Sequence, residues 1–362
     1  MIGWEDIYKV VGSMVPLYVP LGLGYASVRW WRMFKPKHCD VINRLNCYFV
    51  LPFFTFHFSS GIDPYRLNYR FLAGDVVAKA IAGAILALWA TIWRSNNFPW
   101  VITSFSLSSL NNPLVVGVPV LRAMYGSVGE DLAVQSSIMQ SFLWFPTLLF
   151  MLQINHEQQR QNSDHENQIG DSDKNNDDGA TNVAECTTIN SSLTRTTSVG
   201  SSMTKVLAKL AKNPNCYACA LGLIWALLAK RWNFDMPEIV EGSVLIMAKA
   251  GSGVAMFTMG LFMALQEKVI ACGVKLGLYG MVLRFVGGPL TTAMGSFALG
   301  LRSNILRMAI IQAALPEAIT AFVYAQEYGL HANVLSTAVI FGTIVSLPLL
   351  IAFYAVLEVI HI

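Results

Sequence analysis

Apolar residues in this chain gather into long runs separated by short polar turns. The runs fall at about residues 7–28, 41–60, 71–93, 100–124, 132–154, 214–230, 239–265, 269–299, 305–328 and 335–357. Most reach about 20 residues, the length a helix needs to cross a hydrocarbon core of roughly 30 Å. The pattern predicts an all-α polytopic membrane protein of about ten transmembrane helices. One interval breaks the rhythm. From Asn155 to residue 204 the chain is rich in Asn, Asp, Gln, Ser and Thr, with too little apolar surface to offset the entropy of ordering. It is expected to be a disordered cytosolic loop between a five-helix block at 1–154 and another at 205–362.

Composition agrees with the pattern. Of 362 residues 54% are hydrophobic and 13% charged, about half the charge of a soluble chain, which excludes an ordinary soluble enzyme. The net charge of +3 is small and scattered, so no nucleic-acid partner is expected. Six cysteines in a chain of this length do not form a disulfide framework. Cys216 and Cys219 have the spacing of a redox or zinc pair, but they open an apolar run with no second pair nearby and read as small hydrophobes. No zinc-helix, phosphate-loop or nucleophile-elbow motif occurs. Neither an enzyme nor a bound cofactor or metal is expected.

Lysine and arginine set the orientation. Arg29, Arg32, Lys35 and Lys37 crowd the far end of the first run, whereas the first nine residues carry two acids and one lysine. Both termini are therefore expected on the lumenal or extracellular side, although Arg66, Arg70, Lys230, Arg231 and Arg302 work against this bias. The acidic start argues against a cleaved signal peptide.

The two blocks resemble one another at an offset of about 200 residues. Leu21-Gly22-Leu23 with Ala26 and Arg29-Trp30 returns as Leu221-Gly222-Leu223 with Ala226 and Arg231-Trp232. Pro113 followed by Tyr125-Gly126 returns as Pro316 followed by Tyr328-Gly329, and Pro146 as Pro348. Five spans per block make the second copy enter from the opposite side, the inverted repeat of many secondary transporters. In that architecture the substrate sits where paired helices break near the midplane. Proline frees backbone groups that are tolerated there only if they are buried in protein or line a cavity. The corresponding breaks are Asn111-Asn112-Pro113 in the fourth run and Pro316-Glu317 in the ninth. Two simple kinks would be the alternative.

Other polar residues lie within the runs. Asp75 and Lys79, at i and i+4, are expected to pair, either as a structural ion pair near the membrane edge or as a prop behind the broken fourth helix. Gln140, Trp144 and Phe145 precede Pro146 and suit either a planar aromatic acid or a packed aromatic core. His57 could relay protons. Lys249, Lys275 and Arg284 are expected to snorkel or to line a wet crevice. An ionised Glu317 would repel an anion, so it should be protonated or turned toward a cation such as Lys79. Within the loop, Ser198 follows Arg195-Thr196-Thr197 as a basophilic kinase site would, and the Asn190 sequon should be unused on a cytosolic loop.

Several stretches resemble the plant PIN-formed auxin efflux carriers over both helical blocks. They are Asp6-Ile7-Tyr8, Val15-Pro16-Leu17-Tyr18-Val19, Asn213-Pro214-Asn215 and Ala255-Met256-Phe257 with Gly260-Leu261-Phe262-Met263-Ala264. To these add Ile311-Gln312-Ala313-Ala314-Leu315-Pro316 and Ser336-Thr337-Ala338-Val339-Ile340-Phe341-Gly342. The short loop is similar to that of the short-looped branch, which resides mainly in the endoplasmic reticulum. The resemblance implies a homodimer, with spans 1, 2, 6 and 7 as scaffold and the others as a mobile block. It implies export of anionic indole-3-acetate, and of related aromatic carboxylates, across the bilayer by an elevator-like movement without a bound cation. By the same resemblance Asn112 holds the carboxylate, Thr55, Val115, Gln140, Phe145 and Ile319 line the pocket, and Asp75 and Lys79 form a support pair. The chain departs from the family where Asn111-Asn112-Pro113 replaces Pro-Asn-Thr, where Leu315-Pro316-Glu317-Ala318 replaces Leu-Pro-Gln-Gly, and where Phe145 replaces a common tyrosine. Two rivals remain: a sodium- or proton-coupled organic-anion symporter using Asp75 or Glu317, and a membrane receptor or scaffold that binds an auxin-like ligand.

Overall fold

The computed structural model describes residues 4–92, 98–172, 203–266, 270 and 272–360. Among them the chain is helical, and its sole β-type pairing is an isolated bridge between Asn111 and Glu317. Helix α1 (Trp4–Arg29) runs unbroken through Pro16 and Pro20. A π-turn at Asn46–Val50 joins α2 (Pro36–Leu45) to α3 (Leu51–Gly61), and α4 (Tyr69–Ile92) follows. Then α5 (Phe98–Ser109) stops short, and a π-turn at Pro113–Gly117 opens α6 (Val118–Met139). Gly126 bends α6 sharply with a φ of 69°, which its missing β-carbon permits. Another π-turn at Gln140–Trp144 leads into α7 (Phe145–Ser172).

After a short helix α8 at 203–210 come α9 (Pro214–Trp232) and α10 (Glu238–Leu265). The pair α11 (Val274–Val282) and α12 (Gly288–Ala298) is joined by a π-turn at Leu283–Gly287. The last three are α13 (Ser303–Ala313), α14 (Ile319–Glu327) and α15 (Ala332–Val359). All ten apolar runs are helical over most of their length. Among the described residues, five stretches are each long and apolar enough to cross a membrane: Tyr8–Arg29, Tyr69–Ile92, Pro113–Arg160, Glu238–Leu265 and Ala332–Val359. The other runs are cut by π-turns or breaks or, in α9, end on Lys230 and Arg231.

Where the sequence predicts loop from Asn155 onward, α7 continues to Ser172. Polar composition forecasts solvation there, but local pairing keeps the helix running. Gln153 donates to Glu157 one turn on (2.9 Å), and Lys205 reaches back from α8 to the same carboxylate (2.9 Å). The rest of the expected loop, with Asn190 and Ser198, lies outside the described residues.

Partners along the bundle are distant in sequence: α1 lies along α10, α3 along α9, and α4 along α12. The first of these contacts is a backbone-to-backbone approach. A β-carbon on Gly24 would strike the Phe257 carbonyl oxygen, and one on Gly260 would strike that of Leu21. Small residues allow such contact in membranes, where close packing rather than water exclusion holds helices together. Gly260→Ala should therefore destabilise the folded protein by about 1–3 kcal/mol. Thermal unfolding in detergent should show it, while Gly12→Ala, a site where a new β-carbon meets nothing within 4 Å, leaves the midpoint unchanged.

Candidate functional site

Two helices end and two begin at one place, where α5 gives way to α6 and α13 to α14. Each interruption strips backbone groups of their helical partners, and those groups must be satisfied inside the protein. They satisfy one another first. The Asn112 amide donates to the Pro316 carbonyl (3.0 Å), the Ala318 amide to that of Leu110 (3.4 Å), and the Gly117 amide to that of Asn112 (3.2 Å). The Asn111 side chain donates to the Gln312 carbonyl (2.7 Å). Gln140 then acts as a substitute peptide: its Nε2 donates to the Asn111 carbonyl (2.6 Å) and its Oε1 accepts from the Asn111 amide (3.1 Å). Proline at 113 and 316 suits this geometry, since each would break a continuous ladder there.

The remaining carbonyls go to Arg284. Its Nε donates to Leu315 (2.6 Å), Nη1 to Leu110 (2.8 Å) and Leu107 (3.2 Å), and Nη2 to Ala313 (2.8 Å). All four acceptors belong to the C-terminal ends of α5 and α13 or the turns after them, where the helix dipole is negative. Nη1 also lies 3.5 Å from Glu317 Oε2, while Ser106 Oγ donates to Glu317 Oε1 (2.9 Å). Arg284 and Glu317 are fully buried, at 0% exposure each. Gly288 lets α12 come this close, because a β-carbon there would press on the Ser108 carbonyl oxygen.

These contacts correct the expectation for Arg284 and give Glu317 the cation expected of it. Arg284 neither snorkels nor lines a wet crevice: one guanidinium offers five donors in a plane, and the crossing uses that fork. Glu317 turns toward Arg284 and not toward Lys79, because Lys79 is already engaged. Its Nζ is 2.9 Å from both oxygens of Asp75 and lies 4.7 Å from the centre of the Trp144 ring. Trp144 Nε1 donates to Asp75 Oδ2 (2.7 Å), so the pair is held in one orientation. Lys249 and Lys275 are exposed, as snorkelling requires.

Asp75 and Lys79 are adjacent to the crossing. Both line a cavity of about 20 Å³ together with Ser109, Asn111, Ser296 and Gln312. Asn111 Oδ1, Ser296 Oγ and both polar atoms of the Gln312 amide have no hydrogen-bond partner among the described residues. The space is polar and has room for about one water molecule.

The other expected residues divide into two groups. Asn112 is half-buried, and its side-chain amide makes no hydrogen bond among the described residues. Val115 is buried in the Pro113–Gly117 turn, and Ile319 begins α14 against the same apolar cluster. Gln140 is placed differently from a ligand donor, since both ends of its amide are spent on Asn111. Thr55, 3% exposed, donates to Asn215 Oδ1 (2.6 Å), and the Phe145 ring meets Tyr324 edge-on at 6.1 Å. His57 packs edge-on against Phe58, and Cys216 and Cys219 are free thiols. Sequence reasoning missed the role of Arg284 and the presence of Tyr324. An arginine in mid-span followed by Gly287-Gly288-Pro289 was a signal for the first. Nothing in the pattern pointed to the second.

With this geometry in hand, comparison with known proteins is informative. Residues 9–354 match the model of a family described as membrane transport protein. The chain is similar to auxin efflux carrier component 5 of Arabidopsis thaliana, 52% identical with both chains covered in full. It is 50% identical to probable auxin efflux carrier component 5a of Oryza sativa subsp. japonica, again over the whole of both. It is 36% identical to auxin efflux carrier component 8 of Arabidopsis thaliana, over 99% of this chain and all of that one.

Arg284→Met fills similar volume but leaves four carbonyls and a buried carboxylate without their partner. Breaking a buried ion pair from one side costs about 3–5 kcal/mol, so thermal unfolding of the purified variant should fall sharply or the protein should fail to fold. Arg284→Met together with Glu317→Gln should recover part of that loss.

Proposed function

The chain belongs to the auxin efflux carrier family of membrane transport proteins, transporters and not enzymes, and from that premise we propose that it exports anionic indole-3-acetate from the cytosol. The destination is the endoplasmic reticulum lumen, with both termini lumenal. The carrier is a homodimer built on α1, α2–α3, α9 and α10. The remaining spans move as one block, in an elevator-like exchange driven by the membrane potential. The names of the relatives support the substrate, and the pairing of α1 with α10, α3 with α9 and α4 with α12 supports two inverted repeats. A twofold axis that exchanges the repeats turns the first pair into the second and the third into itself.

One observation carries the site. Arg284 occupies the negative, C-terminal ends of the broken helices, so the positive N-terminal starts of α6 and α14 remain for an anion. Asn112 stands at one of those starts with an uncommitted side-chain amide, suited to hold a carboxylate without a full positive charge. Val115, Ile319, Thr55 and Phe145 supply apolar and aromatic wall. An anion leaving a negative compartment gains about 2.3 kcal/mol per 100 mV, so potential alone drives export. The alternative of a cation-coupled symporter is less well supported. Asp75 is bonded by Lys79 and Trp144, and Glu317 is paired with Arg284 and accepts from Ser106, so each carboxylate already faces a cation of the protein. A receptor that binds auxin without moving it gives no reason for two broken helices.

Purified protein in sealed liposomes should carry an indole-3-acetate current that follows the imposed voltage and persists when sodium is replaced. Absence of any such flux would end the proposal. Asn112→Ala should lower that flux at least about tenfold while the protein remains folded, and Asn112→Asp should abolish it. Exchanging Asp75 and Lys79 retains an ion pair but puts a lysine where the Trp144 indole needs an acceptor. The swapped variant should thus transport as poorly as either single neutralisation; near-normal flux would show that the pair acts without orientation.

A further inference from the structure

A line of hydrogen bonds outside the crossing connects two of the wall residues. Thr55 Oγ1 donates to Asn215 Oδ1 (2.6 Å), the Asn215 amide donates to Asn213 Oδ1 (3.0 Å), and Asn213 Nδ2 donates to the Tyr324 hydroxyl (3.3 Å). The Tyr324 ring then stands edge-on to Phe145 at 6.1 Å and 89°. Asn213 is the N-cap of α9, and Pro214 fixes the start of that helix, so its side chain is held by its capping duty. Tyr324 lies on α14, and the same helix is gripped from the segment leading into α9. Lys209 Nζ is 2.7 Å from Glu327 Oε1 and 4.1 Å from the centre of the Tyr328 ring, and the Tyr328 hydroxyl donates to Gln153 (2.9 Å).

We propose that Tyr324 is a further positioning residue for transport, the latch that ties the moving block to the scaffold through Asn213 and so sets Thr55 opposite Phe145. The inference rests on the carrier function proposed above, in which α9 belongs to the fixed scaffold and α14 to the block that moves. Under that division the Asn213–Tyr324 bond joins parts that separate in every cycle. It is a single neutral hydrogen bond, strong enough to bias the state described here and weak enough to break each time. Its hydroxyl is the only part of Tyr324 that the link needs; the ring's contact with Phe145 stays within the moving block.

The test uses the full chain in liposomes, reading turnover and KM for indole-3-acetate from voltage-driven currents. Tyr324→Phe deletes the hydroxyl and keeps the ring. It should change turnover or KM by roughly two- to tenfold, the range expected for one lost hydrogen bond, with the unfolding temperature unchanged. Asn213→Asp keeps the cap and lets its carboxylate accept from the Tyr324 hydroxyl, a stronger charge-assisted link. It should shift the same parameter in the opposite direction, and should do nothing further once Tyr324 is Phe. Turnover and KM both unaltered in Tyr324→Phe, or an Asn213→Asp effect of equal size in both backgrounds, would overturn the latch. A wild-type protein that carries no indole-3-acetate would overturn the carrier function instead, before either variant is compared.

Discussion

Unpaired backbone inside a bilayer is the constraint on which the rest of this structure depends. Two helices that stop and restart in mid-membrane expose amides and carbonyls that each cost several kcal/mol in hydrocarbon unless they find partners. Here the backbone groups named at the crossing have partners, and these come from the broken helices and their turns and from two π-turns besides, those that carry Gln140 and Arg284. Gln140 replaces a peptide opposite Asn111, and Asn111 reaches the Gln312 carbonyl. Arg284 collects the carbonyls of Leu107, Leu110, Ala313 and Leu315. Gly288 at the start of α12, the packing of α12 and of the π-turn before it against α5, and the place of Arg284 in that π-turn all serve to bring one guanidinium to that point.

Charge follows from the same constraint. A guanidinium buried with carbonyls alone would leave a net positive charge beside the crossing, and Glu317 neutralises it. Asp75 and Lys79 neutralise each other a short distance away, held by the Trp144 indole. The formal charges of these four residues sum to zero. An anion at the proposed site would therefore meet helix N-termini and a neutral side-chain amide, not an ion it would bind too tightly to leave. Glu317 fits this balance, since Arg284 lies beside its carboxylate.

Much of this was legible in the sequence because the bilayer imposes crude rules. Run length placed the helical stretches, each apolar run being helical over most of its length, and Pro113 and Pro316 marked the breaks without reference to any contact. The Asp75–Lys79 pair followed from i, i+4 spacing alone. What failed was whatever depends on which side chain fills a three-dimensional vacancy. Arg284 read as a snorkelling cation because periodicity cannot distinguish an arginine reaching the interface from one reaching inward to four carbonyls. Gln140 read as a residue lining a pocket, and periodicity gave no sign that both ends of its amide bond to Asn111. Residues after Asn155 read as loop from polarity, although pairs such as Gln153–Glu157 extend α7.

In the proposed carrier, the division between what binds and what moves would rest on bond strength. Interactions at the crossing are buried, charged or multiply bonded: Arg284 makes four hydrogen bonds and an ion pair, and Gln140 makes two to one residue. Such clusters do not come apart on the timescale of transport, because breaking one partner strands several others. The link from Asn213 to Tyr324 is of another kind, a neutral bond of 3.3 Å between side chains of two different helices. A carrier must keep its site intact while the surroundings of the site change. Under the proposed exchange, the multiply bonded crossing would stay whole while the single neutral Asn213–Tyr324 bond breaks.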